Sequence, residues 1–154
     1  MNGSSRFVVA THVLTVLAVK RDQRLSSDKL AWSLNTNPVV VRRLLGRLKD
    51  ATLVTSKRGP NGGFALARSP DEVTLRQVYE AVEVDSLFTF HSTEPNEECP
   101  VGDNIQTVLT ETLAPAETAL KEELEDVTIA DLSAQIRAEA QAPFEDLDTV
   151  SVDE

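Results

Sequence analysis

The sequence predicts a mainly α chain with one small β-hairpin, and three observations carry that reading. Helix-length apolar periodicities fill most of residues 7–140. One Gly/Pro/Asn cluster, Arg58-Gly59-Pro60-Asn61-Gly62-Gly63, separates two short runs of alternating apolar residues. The third is a split in charge. Residues 1–72 hold 12 basic and 5 acidic side chains, whereas residues 73–154 hold 3 and 20. The formal charge of −10 over 154 residues thus joins a basic half to an acidic half.

The first element is an apolar helix from Phe7 to Val19, with Phe7, Ala10, Leu14, Leu17 and Ala18 near one face. A second opens at Ser26 or Ser27, either of which can cap it, with Asp28 in the first turn; it stops at Asn35-Thr36-Asn37. Asn37 before Pro38 is a fresh start signal. Val41, Leu44, Leu45 and Leu48 then mark one buried stripe. The opposite side carries Val39, Arg43, Gly46 and Asp50, edged by Val40 and Arg47 on one flank and Arg42 and Lys49 on the other. Two short helices joined by a tight turn form a helix-turn-helix, and the hairpin over residues 53–68 that follows is its wing.

Thr74 caps a fourth helix, Leu75 to Val84, with Val78, Tyr79 and Val82 inward. Residues 85–100 lack a sustained period and contain two prolines, so they read as a loop. A long helix runs from about Gly102 or Asp103 to Val127, and Pro115 inside it is expected to kink or divide it. A further helix covers about 128–140, and the remaining tail is acidic and expected to be disordered. The expected organisation is therefore a winged helix-turn-helix domain over 1–84, a loop over 85–100, dimerisation helices over 101–142 and a tail over 143–154.

Several classes are excluded. No apolar run approaches the roughly 20 residues of a membrane helix, which predicts no membrane partner. The apolar start is broken by Thr11 and His12 and lacks a small-residue cleavage site, arguing against a secretory signal and for a cytoplasmic protein. A single cysteine, Cys99, forbids an internal disulfide and, with two histidines, argues against a structural zinc site. No Gly-rich phosphate loop opens a helix, and no nucleophile–base set stands in a plausible context, so the chain is not read as an enzyme.

A basic helix and an Arg-bearing wing on one domain suit double-stranded DNA. Phosphate contacts supply affinity, and base edges supply specificity. Asn37, Val39, Val40 and Arg43 are the candidates for bases in the major groove: Asn pairs with adenine, Arg with guanine, and Val meets a thymine methyl. Arg58 is placed for a minor groove, accompanied by Lys57, Pro60 and Asn61. Arg42 and Arg47 are assigned to phosphates, as are Ser4, Ser5 and Arg6 if the first helix nears the backbone. Gly46 has two readings, a close approach of backbone to DNA or a tolerated surface glycine. The alternative function is a winged-helix module that docks a protein and has no preference for any duplex.

The stripe Ile105, Val108, Leu109, Leu113, Ala116, Leu120 and Leu124 on the long helix needs a partner surface, and a twofold interface in a homodimer supplies one. Cys99 has three open readings: an inert thiol, a redox-reactive thiol or intersubunit disulfide, and a ligand to a metal or cluster. Its place before a helix start lowers the thiol pKa, while Glu97 and Glu98 raise it. His12 reads as packed in the first helix; His91 with Cys99 makes a weak metal signal. A small-molecule effector of unidentified chemistry is the remaining candidate partner.

The segment from SSDKLAWSLNTNPVVVRRLLGRLKDATLVTSKRGPNGGFALAR into VTLRQVYEAVE, and again at ECPVGDNIQTVL, resembles the Rrf2 family of bacterial winged-helix transcription regulators. Lys57-Arg58-Gly59 with Gly62-Gly63 and Leu66-Ala67-Arg68 is the most specific part, and the likeness covers about residues 5–135. The resemblance implies a dimer held by the long helix, binding pseudo-palindromic operators and usually repressing transcription. Many members sense redox state, nitric oxide or iron–sulfur supply through three cysteines after the fourth helix. Here Cys99 stands where the first would, but Ile105 and Glu111 occupy the next expected region, so the three-cysteine cluster motif is absent and no cofactor is assigned.

Overall fold

Seventeen residues from Gly3 to Val19 form helix α1 in the computed structural model, which describes residues 3–83, 86–141 and 144. The helix begins four residues ahead of the start read from periodicity. Ala10, Val13, Leu14 and Leu17 are buried, and every other helix except the long one packs on α1, as does the hairpin. A helix that is apolar nearly all round is stable only when surrounded, and α1 takes that central place.

Helix α2 (Ser27–Leu34) is capped by Ser26, whose hydroxyl accepts from the Lys29 N–H at 3.2 Å. It ends at Asn35, which sits in the left-handed region at φ 51° and returns its N–H to the last turn. After this short turn the Asn37 side chain accepts from the Val39 N–H at 2.8 Å and Pro38 opens helix α3 (Pro38–Asp50). The stripe Val41, Leu44, Leu45 and Leu48 is fully buried against α1, α2 and α4.

Strands β1 (Val54–Lys57) and β2 (Gly63–Leu66) pair antiparallel, from Val54 opposite Leu66 to Lys57 opposite Gly63. Leu25 extends the hairpin as an isolated bridge, exchanging bonds of 2.9 and 2.8 Å with Phe64. A 3-10 turn, Pro70–Glu72, then leads to helix α4 (Leu75–Val82), which has a capping box between Thr74 and Gln77. The helix ends at Val82; Val84, its expected last residue, lies outside the described residues.

Helix α5 (Pro100–Glu125) is continuous over 26 residues, so Pro115 does not divide it. Proline removes one backbone bond and crowds the carbonyl four residues earlier. Glu111 and Pro115 are both exposed, which leaves that carbonyl open to water, and Ala114 and Ala116 on either side favour helix.

Helix α6 (Ile129–Glu139) lies within residues 101–142, read from the sequence as dimerisation helices. It folds back onto α1, and Ile129 is fully buried in the core of the winged-helix body. A backbone clasp fixes the return: the Leu75 N–H donates to the Val127 carbonyl at 2.8 Å, and the Ile129 N–H to the Val73 carbonyl at 2.9 Å. Arg137 adds a bond to the Val19 carbonyl at 3.0 Å, and its guanidinium lies 5.4 Å from the Phe144 ring. Apart from Phe144, the tail expected to be disordered lies outside the described residues.

Because Ile129 belongs to this core, Ile129→Ala should destabilise the fold by about 2–5 kcal/mol in denaturant unfolding. A loss below about 0.5 kcal/mol, the scale of a surface site, would show that α6 is only loosely attached.

Candidate nucleic-acid interface

The caps and stripe of α3 turn one face outward and leave its side chains in two groups. Asn37, Val39, Arg42, Arg43 and Gly46 are exposed, with Val39 at 50%, whereas Val40 is half-buried. Asn37 spends its side-chain oxygen on the cap, which leaves the amide NH2 for any outside partner. Arg43 meets no hydrogen-bonding or ionic partner among the described residues.

The other basic residues of α3 brace the fold. Arg47, assigned to phosphate from the sequence, is half-buried and donates to the Val82 carbonyl at 2.9 Å, tying α3 to the last turn of α4. Its place beside the stripe turns it toward α4, where it has a structural part. Arg42 donates to the Ser27 hydroxyl at 3.2 Å while remaining exposed, and Lys49 donates to Ser56 at 2.7 Å. Arg6 also turns inward, pairing with the buried Glu83 at 3.5 Å. The side chain of Ser4 lies outside what is described.

The wing tip presents Lys57, Arg58, Pro60 and Asn61, all exposed, and neither Lys57 nor Arg58 has a partner among the described residues. The turn needs its glycines. Gly59 sits at φ 87°, and a Cβ on Gly62 would come within 2.4 Å of the Lys57 carbonyl. Gly63, at φ 122°, lies so close to Leu25 that a Cβ would fall 2.7 Å from the Leu25 carbonyl oxygen. Sequence reasoning missed Arg24, which holds the wing from below through Thr55 and the Gly63 carbonyl at 3.3–3.4 Å. Its only signal was a basic residue in a loop.

The stripe of α5 is half covered. Ile105, Leu109, Leu113, Leu120 and Leu124 are half-buried, Val108 and Ala116 are exposed, and no residue of α5 is buried. Residues 86–90 lie along it, where Ser86 donates to Glu117 at 3.0 Å. Leu87, Phe88 and Phe90 stay exposed there.

Cys99 is exposed and caps α5. The backbone N–H groups of Gly102 and Val101 hold its thiol below the usual range, against a smaller opposing effect of desolvation. His91 bonds within its own turn to Thr93 at 3.2 Å, and His12, expected to be packed, is on the surface with Nε2 3.0 Å from the Ser33 hydroxyl.

Gly46 has open space where a Cβ would be, so Gly46→Ala should stabilise the fold by about 1 kcal/mol in thermal unfolding. A simultaneous fall in DNA affinity would show that backbone approaches DNA there; unchanged affinity would leave it a surface glycine. For Cys99 the sign is set by its lowered pKa: thiolate is present at lower pH than in a free cysteine. The pH profile of iodoacetamide alkylation should therefore turn upward earlier than for a cysteine peptide. A midpoint at or above the peptide's would mean that Glu97 and Glu98 dominate.

Comparison with known proteins places this geometry. Residues 3–135 match the Rrf2 model, described as an iron-dependent transcriptional regulator. YwnA of Bacillus subtilis, described as an HTH-type transcriptional regulator, is 40% identical over 130 residues, covering 84% of this chain and 95% of its own. A solved transcriptional regulator from Lactobacillus plantarum superposes with a TM-score of 0.70 at 28% identity, over 86% of this chain and 89% of that one. CymR, the global cysteine regulator of B. subtilis, shares the fold with a TM-score of 0.65 at 23% identity, over 88% and 98% of the two chains. The donors in this chain do not fit the iron of the family description. An iron–sulfur cluster needs several converging thiolates, Cys99 is the sole cysteine, and among the described residues no three His, Cys, Asp or Glu side chains group to hold a metal. The wing, the recognition helix and a match over nearly the whole chain lead to one assignment: this is a DNA-binding transcription regulator of the Rrf2 family, and not an enzyme.

Proposed function

We propose that the protein acts as a cytoplasmic homodimeric repressor on a pseudo-palindromic operator, with α3 in the major groove and the wing in the adjacent minor groove. One observation carries the reading. Arg43 on the outer face of α3 and Arg58 at the wing tip are exposed cations of one body, and neither is engaged by another described residue. Asn37, Val39 and Val40 accompany Arg43 toward base edges, Lys57, Pro60 and Asn61 accompany Arg58, and Arg42 meets phosphate from its anchored position. The half-covered stripe from Ile105 to Leu124 supports pairing of two chains along α5. Two-fold symmetry then sets the half-sites about one helical turn apart, roughly 34 Å, or a multiple of it.

No helix among the described residues is long and apolar enough to cross a membrane. With one cysteine per chain, the controlling signal is a small effector or the Cys99 thiol rather than a three-cysteine cluster.

Selection of bound fragments from sheared genomic DNA should recover an inverted repeat. Arg43→Ala and Arg58→Ala should each weaken binding to it by about 5- to 150-fold, the worth of one good base contact, with a much smaller loss on random duplex. Lys57→Ala should weaken both by similar factors and flatten the salt dependence by about one unit of slope. Recovery of no repeat, with the variants behaving like wild type, would overturn the operator reading.

A further inference from the structure

Away from the recognition helix, α1, α2 and α6 leave between them a groove of about 600 Å³. That is within the range of small-molecule sites, roughly 300–1,000 Å³. Its walls keep large apolar side chains wet: Val8 is 64% exposed, Trp32 53% and Ile136 44%. Phe144, beyond α6, also lines it.

Two properties of the lining select the occupant. None of the lining residues is Asp, Glu, Lys or Arg, so a charged ligand would be desolvated without a counter-charge. Although His12 is exposed, partial desolvation of its ring lowers its pKa, which favours the uncharged form. Arg137 touches two lining residues, but its guanidinium is engaged by the Val19 carbonyl and the Phe144 ring. The second property is a local polar group. His12 Nε2 and the Ser33 hydroxyl lie 3.0 Å apart across α1 and α2, and the Thr11 oxygen is enclosed with no hydrogen-bond partner. The Thr11 oxygen is closed to any outside partner, so the His12–Ser33 pair is the polar group that a ligand can meet. Trp32 and Phe144 offer ring faces for offset or edge stacking.

We propose that this groove binds an uncharged aromatic molecule of one or two rings bearing a hydroxyl or carbonyl, with its rings against Trp32 and Phe144 and its oxygen at His12 and Ser33. The site stands independently of DNA binding. Its regulatory consequence rests on the DNA-binding reading. A ligand oxygen competes for the His12–Ser33 bond that joins α1 to α2, and α2 holds Arg42 of the recognition helix through Ser27.

The test uses the full chain and equilibrium dialysis without DNA, so its failure is distinct from failure of the operator reading. The probes are 2-naphthol and naphthalene-2-sulfonate, which share a ring system and differ in charge. One 2-naphthol should bind per chain, at least about tenfold tighter than the sulfonate. Ile136→Asp, which places a charge in the groove, and Ala140→Trp, which fills its exposed end, should each weaken 2-naphthol by a similar factor without lowering the melting temperature. Ser33→Ala should narrow the preference for the naphthol. Equal binding of the two probes, no saturable binding, or binding untouched by both Ile136→Asp and Ala140→Trp would overturn the proposal. So would light scattering in which those two variants separate a dimer, because the groove would then be covered by a second copy.

Discussion

Almost everything in this structure depends on the need to surround α1. A 17-residue helix without a continuous polar face has no stable place at a surface, and its burial draws in α2, α3, α4, α6 and the hairpin. The recognition helix gains its position from the same demand. Its stripe of Val41, Leu44, Leu45 and Leu48 is fully covered by that core, so its outward face follows from packing rather than from any interaction at the outside.

The braces around α3 sharpen this positioning. Arg47 reaches the end of α4, Arg42 the start of α2, and Lys49 the first strand. Arg24 and the Leu25–Phe64 bridge hold the hairpin from the other side. Each is worth only about 0.5–1.5 kcal/mol, more where a charge is involved, but together they leave α3 and the wing little freedom to change angle.

The elements of the winged helix were legible because their signals are local. Ser26, Asn37 and Thr74 each accept a bond from a backbone N–H as their spacing implies, and the i, i+3, i+4, i+7 stripe of α3 is buried. The site was legible as a face, not residue by residue. Arg42 and Arg47 stand on the two edges of that face, and only the three-dimensional neighbours, Ser27 for one and the Val82 carbonyl for the other, separate an exposed side chain from a brace. The return of α6 was not legible, since it rests on backbone bonds between residues more than 50 positions apart. The groove beside Trp32 arises from that return and was hidden for the same reason. Pro115 does not divide its helix because an exposed turn lowers the cost of a proline in a helix interior.

The division between braced and unbraced cations bears on how a DNA reader searches. Arg42 and Arg47 give up much of their rotational freedom when the chain folds, whereas Arg43 and Arg58 retain theirs in the free protein. Immobilising such a side chain costs about 0.5–1.5 kcal/mol. Under the proposed reading, no base contact would offset that cost on arbitrary sequence, and the two arginines would stay mobile there. If the proposed operator reading holds, both would lock at once on a matching site, and recognition would become a freezing of a few long side chains.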